Sequence, residues 1–248
     1  MATPLAQVRS RTCKSAQDAR SLKQIFQAID AESCPTSYNF HMHTACSDGQ
    51  LQPDHLMHQA ITIGLKAFAI TDHHTIDGFY QAQRWLDQWQ QSLAKEYNDT
   101  RSVLENRSHS LPQLWTGVEV TSILLETEVH ILGYDFDPTH SRMVPYLQHR
   151  SPTASLGQAA CVINAIQTAG GLAVLAHPSR YRRSPEELIP AAAALGINGV
   201  EAYYAYNNPN PWRTSLDQTE RIQKISQPFN LLHTCGTDTH GHSLLKRV

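Results

Sequence analysis

Six times along this 248-residue chain, a short apolar run meets a His, Asp or Glu where a strand would normally stay apolar. The stretches are Phe40-His41-Met42-His43, Ile70-Thr71-Asp72-His73-His74, Gly117-Val118-Glu119-Val120, Glu128-Val129-His130-Ile131, Leu175-Ala176-His177-Pro178 and Gly236-Thr237-Asp238-Thr239-His240. One polar residue in such a place is commonly a satisfied core group or a surface position. Six with the same chemistry, each at a predicted strand, constrain what the chain can build. Helical patterns separate most of them. Strands alternating with helices point to parallel pairing with the helices outside. In barrels of that kind, sites form at the edge beyond the strands.

The elements follow from periodicity and punctuation. Residues 1–14 read as a disordered tail, and Ser15 opens an amphipathic helix with Asp18 placed for a capping box. Its apolar stripe is Leu22, Ile25, Phe26 and Ile29. This sets an N-terminal tail and helix over 1–36 ahead of a main domain over 37–248. Strands are predicted at Tyr38–Met42, Lys66–Thr71, Gln113–Val120, Glu128–Phe136, Leu172–Ala176, Gly199–Tyr204 and Asn230–Cys235. Helices are predicted from Pro53 to about Gly64 and over Ile76–Glu96, Leu156–Ala169, Pro185–Leu195 and Trp212–Ser226. Residues 97–112 read as a loop insertion, and 137–154, with three prolines, as a connection.

Charge excludes some functions. Charged residues make up 17% of the chain and the formal net charge is −2, unlike a basic nucleic-acid coat protein. An anionic substrate must therefore be attracted locally, by bound cations or a few Arg side chains. Five cysteines without a CxxC argue against a disulfide framework or a zinc ribbon, and reduced thiols fit a cytoplasmic protein. No apolar run is long enough for a membrane span, and no signal-peptide core stands at the N-terminus. No obligate protein partner is indicated.

Strand alternation puts His41 and His43 on one face and Met42 on the other, so two imidazoles can grip one ion. Asp48, in the following Ser47-Asp48-Gly49 turn, can reach the same pocket. Glu119 interrupts an apolar strand; buried and unpaired it would be costly, while a surface-facing Glu119 is the plain alternative. Imidazole mixed with carboxylate, without thiolate, suits Zn²⁺, Mn²⁺ or Fe²⁺ better than Ca²⁺ or Mg²⁺. There are more ligands than one ion can use.

The ordered set FHMHTACSDG, ITDHHT, GVEV, EVHILGYDFD, LAHPSRY and GTDTHG resembles the polymerase and histidinol phosphatase (PHP) family from about Tyr38 to His242. The resemblance implies an α/β fold, a distorted (β/α)7 TIM-like barrel with an extra N-terminal helix, holding two to three divalent ions. Carried over by position, His41, His43, Glu119 and Asp238 hold the first. Glu119 bridges to a second, completed by His130 and His177. Asp48, His73 and His240 hold the third. The SDG, TDHHT and HPSRY forms resemble the branch containing 5′–3′ exoribonucleases and nucleoside 3′,5′-bisphosphate phosphatases. Two departures stand out: His74 where many relatives carry Asp, and the long 97–112 stretch.

The chemistry implied is hydrolysis of a phosphate ester by a metal-bridging hydroxide. Arg180 is a candidate for gripping a phosphate oxygen, with a surface salt bridge as the alternative. His74 is expected either to protonate the leaving group or to point outward. Tyr204, with neighbouring Tyr203 and Tyr206, and His242 are candidate substrate contacts, the tyrosines by stacking on a base. Glu201 reads as a partner to a His ligand. The expected substrate is a small phosphorylated molecule or a short RNA or DNA end. Another monoester such as histidinol phosphate, or a metal-binding module without turnover, remain alternatives.

Overall fold

The computed structural model describes residues 19–99 and 111–248. The tail over 1–14, the Ser15–Asp18 capping box and most of the 97–112 stretch lie outside the described residues. Six α-helices are found among the described residues: α1 (Ala19–Gln27), α2 (Pro53–Ile63), α3 (Asp77–Asp99), α4 (Ala159–Thr168), α5 (Pro185–Ala194) and α6 (Leu216–Ser226). The strands are β1 (Tyr38–Asn39), β2 (Ala67–Ala69), β3 (Gln113–Trp115), β4 (Gly117–Leu124), β5 (Thr127–Tyr134), β6 (Leu172–Leu175), β7 (Gly199–Tyr203) and β8 (Leu232–Cys235). Three strands form a parallel sheet in the order β1-β2-β3, and five form a second in the order β4-β5-β6-β7-β8.

Parallel pairing does not hold throughout. β4 and β5 form an antiparallel hairpin, and β5 also runs antiparallel to β6, while β6-β7 and β7-β8 are parallel. The predicted strand Gln113–Val120 is interrupted at Thr116, and its second half runs on to Leu124. The hairpin turns on Leu125 and Glu126, both at positive φ, the backbone of a tight two-residue connection. That geometry normally carries Asn-Gly or Asp-Gly; Leu-Glu hides the turn from the sequence.

The two sheets touch along both borders. On one, Phe40 N–H donates to Cys235 O (2.9 Å), Asp238 N–H to His41 O (2.8 Å) and His43 N–H to Thr239 O (3.0 Å). On the other, Glu119 N–H donates to Asp72 O (3.2 Å) and His74 N–H to Glu119 O (3.0 Å). These bonds run through the ligand-type residues themselves, so the seams and the site share one backbone.

Local chemistry sets the helix ends. Pro53 starts α2, and Gly64, at φ +86°, closes it by donating to Ala60 and Ile61 carbonyls. Ser184 and Glu187 form a reciprocal capping box on α5. α6 starts later than predicted, because residues 212–215 are irregular and Trp212 is buried.

α1 is seated in the main core rather than standing apart from it. Leu22 and Phe26 are buried there, and the Phe26 ring meets Phe40 and Tyr134 edge-on, at 4.9 and 5.5 Å between centroids. Met42 packs in a second cluster with Leu56, Met57, Phe68 and Ile70. It thus turns away from its two histidine neighbours, as strand alternation requires.

Candidate metal centre

The backbone delivers the site in pieces. His41 and His43 follow β1, with Asp48 in the next turn; His73 follows β2; Glu119 lies in β4 and His130 in β5; His177 follows β6; Asp238 and His240 follow β8. Two glycines allow the close approach: a Cβ on Gly236 would overlap the His41 Cβ, and one on Gly49 would meet the His43 carbonyl. His74, His177 and Asp238 sit at φ +54°, +24° and +53°. For residues other than glycine this is strained backbone, which collects at sites where the surrounding structure over-determines it.

Glu119 is the hub. Its Oε2 lies 3.0 Å from His41 Nε2, 3.0 Å from His43 Nε2 and 3.5 Å from His73 Nε2. Its Oε1 lies 2.8 Å from His130 Nδ1 and 3.4 Å from His177 Nε2. One buried carboxylate thus faces five imidazoles, divided between its two oxygens. Asp238 Oδ1 lies 3.4 Å from His41 Nε2 and 3.3 Å from His43 Nε2. Asp48 Oδ2 lies 3.2 Å from His240 Nε2 and 3.7 Å from His73 Nε2. Three sets have mutually close donor atoms: His41, His43, Glu119 and Asp238; His43, Asp48, His73 and His240; and His73, Glu119 and His130. His177 joins through Glu119 Oε1. All nine candidate ligands are brought together.

The donor set fits divalent cations. Both His43 ring nitrogens and His177 Nδ1 are buried without an aligned hydrogen bond, although carboxylate oxygens lie beside His43. Burial pushes the His43 imidazole down, but Asp238 and Glu119 outweigh it and its pKa rises to about 9. Burial would raise Glu119; His41 and His130 instead hold it well below the usual carboxylate range. Without metal, burial pulls against protonation of His41, His43 and His130 but the neighbouring carboxylates outweigh it and favour their protonated form, whereas burial prevails at His73 and His177 and lowers them. A cation supplies the same charge with coordination in place of misaligned hydrogen bonds. His41, His43, Glu119, His177 and Asp238 form a buried floor, whereas His73, His130, His240 and Asp48 are partly open to solvent.

Other residues hold this set. His41 Nδ1–H donates to Glu201 Oε1 (3.0 Å), and His177 N–H donates to Glu201 Oε2 (2.8 Å). Glu201 therefore orients one ring and one strained backbone, as its sequence position suggested. Asp72 is spent on the loop after β1, accepting from Thr44 N–H (2.6 Å), Thr44 Oγ1 (2.7 Å) and Ser47 Oγ (2.7 Å).

The expectations beyond the ligands fare differently. His74 does not point outward; it is buried, with Nε2 3.1 Å from Thr121 Oγ1 and 3.3 Å from Ser151 Oγ. Burial lowers its pKa to about 4; its Nε2 is taken up by these two hydroxyls, while Nδ1 is buried without an aligned hydrogen bond. Tyr204 is only 2% exposed, and its hydroxyl donates to Asp238 Oδ2 (2.7 Å). It stands behind the carboxylate, not at a rim where a base could stack. Arg180 NH1 donates to the same Oδ2 (2.8 Å), with the side chain 38% exposed. His242 is exposed and its carbonyl accepts from Gln59 of α2 (2.9 Å). Arg247, whose Nε–H reaches Asp238 Oδ2 (2.7 Å), carried no sequence signal.

Residues 39–156 match the PHP domain family. A curated 5′–3′ exoribonuclease from Haemophilus influenzae is 31% identical over 82% of this chain and 89% of its own length. The chain belongs to the PHP-domain family. Membership makes it an enzyme of the metal-dependent phosphoesterase type. Its fold is shared by a protein described as a metal-dependent phosphoesterase from Bifidobacterium adolescentis, with a TM-score of 0.63 at 23% identity, covering 84% of this chain and 89% of that one. An amidohydrolase from Chromobacterium violaceum, with bound sulfate and no metal, has a TM-score of 0.63 at 19% identity, covering 83% and 88%. The family match ends before His177, Asp238 and His240, so those three join the PHP site here on geometry.

Proposed function

We propose that this protein hydrolyses phosphate esters of nucleotides, 3′,5′-bisphosphates or the 5′ ends of short oligonucleotides, at a site holding two to three divalent ions. The observation that carries this is the division of Glu119. Its Oε2 faces His41, His43 and His73 while Oε1 faces His130 and His177, the arrangement a bridging carboxylate needs. His41, His43, Glu119 and Asp238 would hold one ion, Glu119, His130 and His177 a second, and Asp48, His73 and His240 a third. Mn²⁺, Zn²⁺ and Fe²⁺ all accept this donor set.

Bound cations supply Lewis acidity at the phosphoryl oxygen and a low-pKa water at neutral pH. The protein supplies the rest. The buried floor fixes the ligands in a dry pocket, and the open rim of His73, His130, His240 and Asp48 admits the ester. Arg180, half out of the pocket, keeps guanidinium edge for a phosphate oxygen beyond its bond to Asp238. The backbone bonds at both sheet borders support one distorted seven-stranded barrel, with β3 and β4 as a single interrupted strand in constant register against 67–73. Among the described residues no helix is long and apolar enough to cross a membrane. Cys34, Cys46, Cys161 and Cys235 are free, which fits a reducing compartment such as the cytoplasm.

The test is a substrate panel with Mn²⁺ or Zn²⁺: a 3′,5′-bisphosphate, a 5′-phosphorylated oligonucleotide, histidinol phosphate and an aryl phosphate. We expect the two nucleotide substrates to turn over with the highest kcat/KM. Preference for histidinol phosphate would replace the substrate assignment. No release from any of the four by metal-loaded protein would remove the enzymatic reading.

A further inference from the structure

The two oxygens of Asp238 do different things. Oδ1 faces the imidazoles, at 3.4 Å from His41 Nε2, 3.3 Å from His43 Nε2 and 3.5 Å from His240 Nδ1. Oδ2 faces away and collects three donors: Arg247 Nε–H at 2.7 Å, Tyr204 O–H at 2.7 Å and Arg180 NH1 at 2.8 Å. A carboxylate at positive φ, on irregular backbone, has little else to fix its rotamer.

We propose that Arg247 is a positioning residue of the metal centre, holding Asp238 so that Oδ1 is aimed at the ion bound by His41 and His43. This rests on the assignment of Asp238 as a ligand. Arg247 is itself held in place by the ligand-bearing segment. The His240 N–H donates to the Arg247 carbonyl (2.6 Å), and Thr239 Oγ1 donates to the Lys246 carbonyl (2.8 Å). Between them Leu244 is fully buried; its N–H donates to Gln59 Oε1 (3.0 Å), and Asn39 Nδ2 donates to its carbonyl (3.4 Å). Residues 241–248 thus fold back on Thr237–His240, and this backbone pairing places the Arg247 side chain beside Asp238. Arg suits the task better than Lys: its Nε–H leaves the guanidinium sideways and in plane, while an ammonium carries no such fixed direction. Outer groups of this kind typically set metal affinity by about 10–100-fold.

The experiment titrates metal-free full-length protein with Co²⁺, following both the binding isotherm and the visible absorption of the bound ion. Wild type, R247M, R247K and the surface control R221M are compared; Arg221 pairs with Glu186 on the outside of the fold. We expect R247M to bind one ion about 10–100-fold more weakly with a changed Co²⁺ spectrum, R247K to recover part of the affinity, and R221M to match wild type. An unchanged isotherm and spectrum in R247M would overturn the proposal, and a raised KM alongside them would make Arg247 a substrate contact instead. If R247M does not fold, R247K decides: wild-type affinity and spectrum in R247K would count against a directional role. A wild-type protein that binds no Co²⁺ would defeat the assignment of the site, not the role of Arg247.

Discussion

At the residue scale, the candidate ligands were legible because polar side chains inside apolar strands are costly unless they have partners. A buried Glu119 without partners would lose several kcal/mol of solvation, so its place in an apolar strand meant either company or a surface-facing side chain. The structure supplies that company as five imidazoles. His41→Ala removes a ring that touches Glu119, Asp238 and Glu201 at once. We expect it to lower bound metal and phosphoesterase activity together, by at least about 100-fold, since even outer groups reach that range; elemental analysis and a kinetic assay check both. Glu201→Gln keeps the shape of the side chain but weakens its hold on His41 Nδ1 and the His177 amide. We expect about a 10–100-fold loss of metal affinity by calorimetry, with the fold retained by circular dichroism. Tyr204 and Arg247 were not legible in these roles. A tyrosine after a strand looks the same whether it stacks on a ligand or backs a carboxylate. An Arg nine residues beyond Asp238 gives no period or spacing to read.

At the element scale, most helices and strands could be read from periodicity, while strand direction could not. An apolar run buried on both faces has the same pattern in either direction, and the Leu125-Glu126 turn lacked the usual glycine. The N-terminal helix was legible in its stripe but not in its depth. Phe26 is part of the core shared with Phe40 and Tyr134. Phe26→Ala should therefore cost about 3–5 kcal/mol in a urea titration, whereas a detachable appendage would lose little. β8 carries a pH effect of its own. His233 accepts or donates at Ser226 Oγ (2.9 Å), and burial lowers its pKa below the ordinary value. The unfolded chain then binds more protons than the folded one below pH about 6.5. Stability at this residue is complete above that pH and is lost as the pH falls toward the lowered folded value. Replacing His233 with Gln should flatten that part of the acid limb, measured as the denaturation midpoint from pH 7 down to 5.

At the scale of the whole molecule, the near-neutral chain carries little long-range pull on a polyanion, so a site that takes an anionic ester must attract it through local charge. Metal also couples to stability. Ions that bind only the folded protein add about 2.7 kcal/mol per site at a hundredfold excess over Kd, so chelation should lower the melting temperature and re-addition restore it. The most direct measurement joins binding to chemistry: chelator-stripped protein is titrated with Mn²⁺ while bound metal and product released from a nucleoside 3′,5′-bisphosphate and a 5′-phosphorylated oligonucleotide are followed together, for wild type and Glu119→Gln. We expect no turnover from stripped wild type, turnover that rises as ions bind, and almost none from Glu119→Gln at any metal concentration. Metal-independent turnover, or wild-type turnover in Glu119→Gln, would contradict a site built around that carboxylate.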